Sequence, residues 1–347
     1  MLSTTNKKRM RAAVAQLVEH SPTDLKLPQM NAVVVSLGKT LNPHCPQCLR
    51  TLVCEWMFKR SKPPAPPSPK LLHADWRQIP SWEKDDYLQY INNYEPDQKE
   101  VEHLRILLHG PSNAGKSSFI NSVETALRGR MTGQALVGVG NDSFTSKYQM
   151  HKIQKRKPGN FYPFVFNDIM GLEKDNKGIN VDDIKEAMKG HVKDGYAFNP
   201  HSSFSSEDLQ HYNKSPTVND QTHVLVCVVS ASTLSIMSPE VIDKMKVVRL
   251  AAKDLGIPQM AIVTKIDEAC PEVQSNLRNV YRSKFVKNQI DKLSVSLGIP
   301  LNCIFPVKNY HKEICRDDDI EKLILMALKQ MIDFGEDFVN NCTEKAI

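Results

Sequence analysis

Short apolar runs alternate with longer segments of helical spacing along most of the chain. Three of the runs are rich in Val, Ile and Leu and have the length of strands buried on both faces: residues 104–109, 223–229 and 258–263. Three further strands are predicted at residues 148–154, 161–166 and 302–307. The helical segments are residues 117–128, 181–189, 239–255, 271–296 and 317–334. This alternation predicts an α/β fold with a mostly parallel central sheet and helices on both faces.

The N-terminal part of the chain has a different character. Residues 1–70 lack a sustained period of either kind, and five prolines lie between Ser61 and Lys70, which is typical of an extended linker. A helix is predicted around residues 87–91, beside the first strand. We therefore predict two parts: a partly disordered N-terminal extension, residues 1–70, and an α/β domain with flanking helices, residues 71–347.

Composition adds little about partners. The formal charge is +6 over 347 residues, which permits contact with an acidic surface without arguing for one, and no nucleic-acid partner is expected. The chain shows no secretory signal pattern and no run of eighteen apolar residues, so no transmembrane segment is expected. Eight scattered cysteines are typical of reduced thiols, and we expect a cytoplasmic location.

A phosphate-binding motif follows the first buried strand. Residues 110–117 read GPSNAGKS and match G-x-x-x-x-G-K-[ST] between a predicted strand and a predicted helix. In this motif backbone N–H groups surround a phosphate, Lys116 reaches the β- and γ-phosphate oxygens, and the Ser117 hydroxyl coordinates Mg²⁺. The residues predicted to bind the nucleotide here are Gly110, Asn113, Ala114, Gly115, Lys116, Ser117 and Ser118.

Two later motifs distinguish classes of nucleotide-binding protein. Asp168 and Gly171 match D-x-x-G at the end of a strand, where Asp168 would hold Mg²⁺ and the Gly171 N–H would contact the γ-phosphate. An Asp and a Gly that merely end a strand are the structural alternative.

Residues 264–267 read TKID and resemble the [NT]-K-x-D motif that recognises guanine. Asp267 would accept hydrogen bonds from guanine N1–H and the exocyclic amine, whereas adenine offers no such pair of donors. Lys265 would lie over the ring, and Thr264 stands where Asn is commonest, so the bond that braces the phosphate loop is expected to be weaker. A backbone contact to guanine O6 is predicted near Lys308. The expected ligands are therefore GTP or GDP with Mg²⁺.

The sequence leaves the hydrolytic machinery incomplete. Thr132, Ser143 and Thr145 are candidates for a threonine or serine that completes the Mg²⁺ shell, and we favour Thr145. Leu172 follows Gly171 at a position where many small GTPases have a water-orienting Gln, and a leucine can neither donate nor accept a hydrogen bond. Hydrolysis is therefore expected to be slow, or to depend on other groups. Those groups are Lys116, Asn113 and Ser112, or a residue from a protein partner or a second copy.

The motifs and their surroundings closely resemble one family. The runs VEHLRILLHGPSNAGKSSFINSV, QALVGVGNDSFTSKY and FNDIMGLE, with residues 196–200 ahead of Ser215-Pro216, resemble the interferon-induced protein 44 and 44-like family. The resemblance covers about residues 71–340. It implies a cytosolic, interferon-inducible G-domain protein linked to immune or antiviral response.

Two main interpretations follow from the residues. The first is a Mg²⁺-dependent guanine-nucleotide-binding protein whose GTP hydrolysis is slow or is stimulated by a partner or by dimerisation. The second is an interaction protein that keeps the G-domain shape as a scaffold and turns nothing over, which Leu172 and Thr264 favour. Asp267 argues against a third interpretation, an ATP-dependent kinase or ATPase.

Overall fold

A six-stranded sheet forms the centre of the structure. The computed structural model describes residues 70–80, 83–133, 135, 146–175 and 177–344. The strands are β1 Leu104–His109, β2 Gln149–Gln154, β3 Phe161–Asp168, β4 Val224–Ser230, β5 Gln259–Thr264 and β6 Ile304–Pro306. Their order across the sheet is β2-β3-β1-β4-β5-β6. All neighbouring pairs are parallel except β2 and β3, which are antiparallel.

The sheet forms because its central strands are apolar on both faces. Every residue of β1 and β4 is buried, as a strand covered by helices on both sides requires. The strands predicted at residues 104–109, 223–229 and 258–263 are present with their ends shifted by at most one residue. Because β1, β3, β4, β5 and β6 run parallel, their carboxyl ends meet at one edge of the sheet.

Eight α-helices surround the sheet in the described part of the chain. They are α1 Lys84–Asn93, α2 Lys116–Arg128, α3 Val181–Lys189, α4 Pro239–Asp254, α5 Ile266–Ala269, α6 Pro271–Ser275, α7 Lys284–Leu297 and α8 Asp318–Glu344. Short 3₁₀ helices lie at Leu234–Ile236, Leu277–Tyr281 and Leu301–Cys303. None of the helices in this part of the chain has the length and apolar character that a membrane span needs.

The connections place helices on both faces of the sheet. Helix α2 lies in the connection from β1 to β3, which moves across the sheet toward the β2 edge. Helices α3, α4 and α7 lie in the connections to β4, β5 and β6, which move toward the β6 edge. Because crossovers between parallel strands are right-handed, α2 lies on one face and the other three lie on the opposite face. Helix α8 packs against α2, and α4 packs against α3 and α7. The fold is therefore P-loop GTPase-like, and the predicted fold class is confirmed.

Two helix predictions need correction. The segment predicted to be helical at residues 271–296 is divided into three helices, because the chain forms α6, a 3₁₀ helix and α7 there. The breaks occur at Asn276 and Ser283, whose side chains accept hydrogen bonds from Arg278 N and Val286 N and so cap new helices. Helix α8 continues to Glu344, ten residues beyond its predicted end at residue 334. Residues 1–69 lie outside the described residues, so the N-terminal extension stays a prediction.

Helix α1 lies against α8. The Tyr90 hydroxyl donates to Asp333 at 2.7 Å, and the Tyr94 hydroxyl donates to Glu336. A Cβ at Gly335 of α8 would lie 3.0 Å from Leu104 Cδ1 and 3.1 Å from Val224 Cγ2, atoms of β1 and β4. Glycine therefore lets α8 approach the centre of the sheet closely.

We predict that Gly335→Val destabilises the domain. Three added carbons enter a space already filled by the side chains of β1 and β4, and overpacking of this kind costs about 1–3 kcal/mol. Chemical denaturation followed by circular dichroism measures the loss. Asp337→Val, on the exposed side of the same helix, is the control for the β-branched side chain and should cost less. An equal loss in both variants would contradict close packing at Gly335.

Candidate functional site

The phosphate loop joins the end of β1 to the start of α2, and its two glycines are required by geometry. Gly110 has a φ of +137°, and a Cβ there would lie 2.1 Å from the Val228 carbonyl oxygen in β4. Gly115 has a φ of +94° and caps α2, and its Cβ would lie 2.9 Å from Asn309 Nδ2. No other residue suits either position, because both the backbone conformation and the neighbouring atoms exclude a side chain.

Lys116 begins α2 and is buried beneath the loop. Its ammonium donates to the carbonyl oxygens of Pro111 at 3.2 Å and Gly110 at 3.4 Å. Burial lowers the pKa of Lys116, while the nearby Asp168 carboxylate acts in the opposite direction. The site thus holds an amine whose charged form is desolvated, and a bound anion would favour that form.

Ser117 and Asp168 form a pair beside Lys116. Strand register sets Asp168 of β3 next to Leu108 of β1, and the Ser117 hydroxyl donates to Asp168 Oδ2. Asp168 Oδ1 is buried and has no hydrogen-bond partner among the described residues. A buried carboxylate oxygen without a partner is costly, and carboxylate and hydroxyl oxygens are ligands that Mg²⁺ prefers. The chemistry of the pair therefore fits a Mg²⁺ ion, and its role as a metal site stays a prediction.

The D-x-x-G segment packs directly on the phosphate loop. Leu172 N donates to Gly110 O at 3.0 Å, and Ser112 N donates to Leu172 O at 3.4 Å, so the two segments pair like parallel strands. A Cβ at Gly171 would lie 2.3 Å from Ser112 Oγ, which explains the glycine of the motif. The Ser112 hydroxyl donates to the Glu173 carboxylate, a contact that the sequence did not reveal.

The T-K-x-D segment also supports the phosphate loop. The Thr264 hydroxyl at the end of β5 is buried and donates to the Ala114 carbonyl oxygen at 2.5 Å. Thr264 therefore makes the bracing bond that was expected to be weakened by the absence of Asn. Asn309 adds a second bond that the sequence did not predict, from its Nδ2 to the Gly115 carbonyl oxygen at 3.0 Å. Both contacts join residues more than 100 positions apart, so no local sequence pattern predicts them.

Asp267 and Lys308 lie together at the far end of the site. Lys265 adopts a left-handed conformation, with φ +54°, and starts the short helix α5, which carries Asp267 in its first turn. Lys308 Nζ lies 3.7 Å from Asp267 Oδ2 and 2.8 Å from Glu313 Oε1. Glu313 was not among the predicted residues.

The structure thus gathers at one sheet edge the predicted residues that it describes, with the exception of Thr132. These are Gly110, Ser112, Asn113, Ala114, Gly115, Lys116, Ser117, Ser118, Asp168, Gly171, Thr264, Lys265, Asp267 and Lys308. Asn113 is exposed at the tip of the loop with a φ of +59°. Thr145 and Ser143 lie outside the described residues, while Thr132 bonds to Thr125 of α2. The metal-binding and catalytic roles of all the residues named here remain predictions.

Solved structures with related architecture include two nucleotide-binding proteins. Toc33 from Arabidopsis thaliana, in complex with GDP and Mg²⁺, has a TM-score of 0.42 and 14% identity, covering 73% of this chain and 91% of Toc33. A probable GTP-binding protein engB has a TM-score of 0.35 and 15% identity, covering 66% of this chain and 98% of engB. Neither likeness is strong enough to bear on function. No family model matches the chain.

Curated relatives are more similar in sequence. The chain is 34% identical to interferon-induced protein 44 from Pan troglodytes and from Homo sapiens over 256 residues, or 73% of this chain and 57% of each relative. It is 33% identical to human interferon-induced protein 44-like over 252 residues, or 72% of this chain and 56% of that protein. The chain therefore spans little more than half the length of these relatives. Over about three quarters of its own length, it is a homologue of the interferon-induced protein 44 and 44-like proteins, which confirms the resemblance seen in its motifs.

Proposed function

We propose that this chain binds GTP and GDP together with Mg²⁺. One observation carries the proposal: the phosphate loop, the D-x-x-G segment and the T-K-x-D segment are joined by hydrogen bonds at one edge of the sheet. A cation, a hydroxyl–carboxylate pair suited to Mg²⁺ and a carboxylate suited to a base therefore lie at the same edge of the sheet, which supports the proposal. Ligands of open α/β folds bind at this edge.

Each group has a distinct task in the proposed complex. Lys116 neutralises phosphate charge, and the loop N–H groups together with the N-terminus of α2 stabilise the same anion. Ser117 and Asp168 hold Mg²⁺, which would neutralise charge on the β- and γ-phosphates. Asp267 accepts hydrogen bonds from guanine N1–H and the exocyclic amine, and this pairing excludes adenine.

Hydrolysis by this chain is proposed to be slow unless another molecule assists it. Leu172 is buried against the phosphate loop and offers no polar atom for a water molecule. Ser112, Asn113 and Lys116 remain the candidates within the loop, and a protein effector or a second copy of the chain is the candidate outside it. The burial of Leu172 equally supports the second candidate function, a scaffold that binds nucleotide without turnover.

A role in the interferon-induced immune or antiviral response is also proposed. It is supported by the names of the relatives, interferon-induced protein 44 and 44-like. A cytoplasmic location agrees with the five described cysteines, all of which are free thiols.

We predict that fluorescent GDP and GTP analogues bind at least about 100-fold more tightly than an ATP analogue, because a carboxylate built to accept from guanine rejects adenine. Lys116→Ala should weaken guanine-nucleotide binding about 10- to 100-fold through the loss of charged hydrogen bonds to phosphate. Fluorescence titration measures both effects. Lys253→Ala, which removes an exposed lysine at the end of α4, is the control and should bind as the wild type does. Equal affinities for ATP and GTP, or indifference to Lys116, would refute the proposal.

We also predict that Mg²⁺ strengthens GTP binding through Asp168. In the Asp168→Asn variant the amide oxygen can still accept the Ser117 hydrogen bond, but the negative charge is lost. The variant should therefore lose most of the gain that Mg²⁺ gives the wild type. In EDTA it should bind GTP at least as tightly as the wild type, because its side chain no longer repels the phosphates. Titrations with and without EDTA test this directly. A full Mg²⁺ effect in Asp168→Asn would exclude the pair as the metal site.

Turnover separates the enzyme from the scaffold. Phosphate release from GTP should be slow at low protein concentration and rise faster than linearly if a second copy completes the site. The measurement is multiple-turnover phosphate release over a range of protein concentrations, with Lys116→Ala as the blank. An absence of release at every concentration would favour the scaffold.

A further inference from the structure

A lysine held between two carboxylates lies beside the predicted base-reading residue. Lys308 Nζ is 2.8 Å from Glu313 Oε1 and 3.7 Å from Asp267 Oδ2. The side chains are only 18% exposed for Lys308 and Glu313 and 19% for Asp267. The closer contact is the one with Glu313, so Asp267 is not the main partner of the ammonium.

Glu313 is itself fixed by its own loop. Its Oε2 accepts from His311 N at 3.0 Å and from Lys312 N at 3.1 Å, while its Oε1 accepts from Lys308. Burial works to raise the pKa of Glu313, but the bonds from Lys308 and the backbone outweigh it and lower the pKa to about 2. Glu313 is therefore a permanent anion at neutral pH that holds the Lys308 ammonium in one place.

The same loop is tied to the phosphate loop. Asn309, next to Lys308, donates to the Gly115 carbonyl oxygen at 3.0 Å. The backbone before it is also held, because Val307 N donates to Val263 O at 2.8 Å. Lys308 is thus anchored on both sides, so its position relative to Asp267 is part of the site's architecture.

The arrangement of donors and acceptors on guanine suggests a role for Lys308. On the guanine ring the O6 acceptor is adjacent to the N1–H donor, so a cation on the O6 side of the carboxylate that reads N1–H can reach O6. In the major groove of DNA, Arg and Lys are common donors to guanine O6, so an ammonium group suits this acceptor. Thr264 stands where an Asn amide is commonest, and its hydroxyl is committed to Ala114.

We propose that the Lys308 ammonium donates a hydrogen bond to guanine O6 and that Glu313 is the positioning residue that holds it there. This inference rests on the proposed guanine-nucleotide binding and extends it to the choice of base. Adenine has an amino donor at C6, so the Lys308 ammonium would face another donor instead of the O6 acceptor. Lys308 therefore rejects adenine as well as attracting guanine.

The test compares GDP, 6-thio-GDP and ADP by competition against a fluorescent GDP analogue. Lys308→Met should weaken GDP binding about 10- to 100-fold, the range for a lysine contact to O6. It should change 6-thio-GDP binding much less, because sulfur is a weak acceptor. Lys312→Met, which removes the exposed lysine beside Glu313, is the matched control and should leave all three affinities unchanged.

Glu313→Gln tests the positioning role. It should weaken GDP binding and narrow the ratio of GDP to 6-thio-GDP affinity, and combining it with Lys308→Met should add no further loss. A structural defect would instead lower both affinities equally, and thermal unfolding of each variant identifies misfolding independently. Equal losses for GDP and 6-thio-GDP, or tighter GDP binding by Lys308→Met, would overturn the inference. Failure of the wild type to prefer GDP over ADP would refute guanine binding itself, and with it this inference.

Discussion

The carbonyl groups of the phosphate loop impose the constraint on which the rest of the site depends. A loop that turns its N–H groups toward an anion must turn its carbonyl oxygens away from it, and each carbonyl then needs a donor inside the protein. Three other segments supply these donors. The bonds run from Leu172 N to Gly110 O, from Thr264 Oγ1 to Ala114 O, and from Asn309 Nδ2 to Gly115 O. The segments expected to bind the nucleotide therefore also hold the loop in shape.

Leu172 belongs to a segment that is expected to bind the nucleotide and that also holds the phosphate loop in shape. Its backbone bonds to Gly110 and Ser112, and its side chain is buried in the apolar core. Burying a leucine contributes about 1.5–3 kcal/mol to stability, which a polar residue that points into the site would not provide. The position thus favours closure of the D-x-x-G segment on the phosphate loop over the positioning of water.

Local patterns predicted most of the fold and the motif residues. The first strand, the glycines of the loop and the start of α2 follow from apolar runs and motif spacing, which are short-range signals. The support from Thr264, the bond from Asn309 and the position of Glu313 depend on residues brought together by the sheet, so no spacing rule reveals them. Helical periodicity also failed at Ser283, because a capping side chain ended one segment and began another within an amphipathic stretch.

The sheet edge that carries the candidate site also contains buried charged groups that are unfavourable for folding. In the part of the chain that the structure describes, the hydrogen bonds of the buried Lys116 ammonium go to two carbonyl oxygens, and Asp168 keeps one buried oxygen without a partner. Groups in this condition oppose folding, and apolar residues would pack there at lower cost. Phosphate would supply an anionic partner to the Lys116 ammonium, and Mg²⁺ would supply a partner to the buried Asp168 oxygen. Since one Mg²⁺-bound nucleotide would satisfy both groups, their burial at the same edge agrees better with the proposed ligand than with the stability of the protein alone.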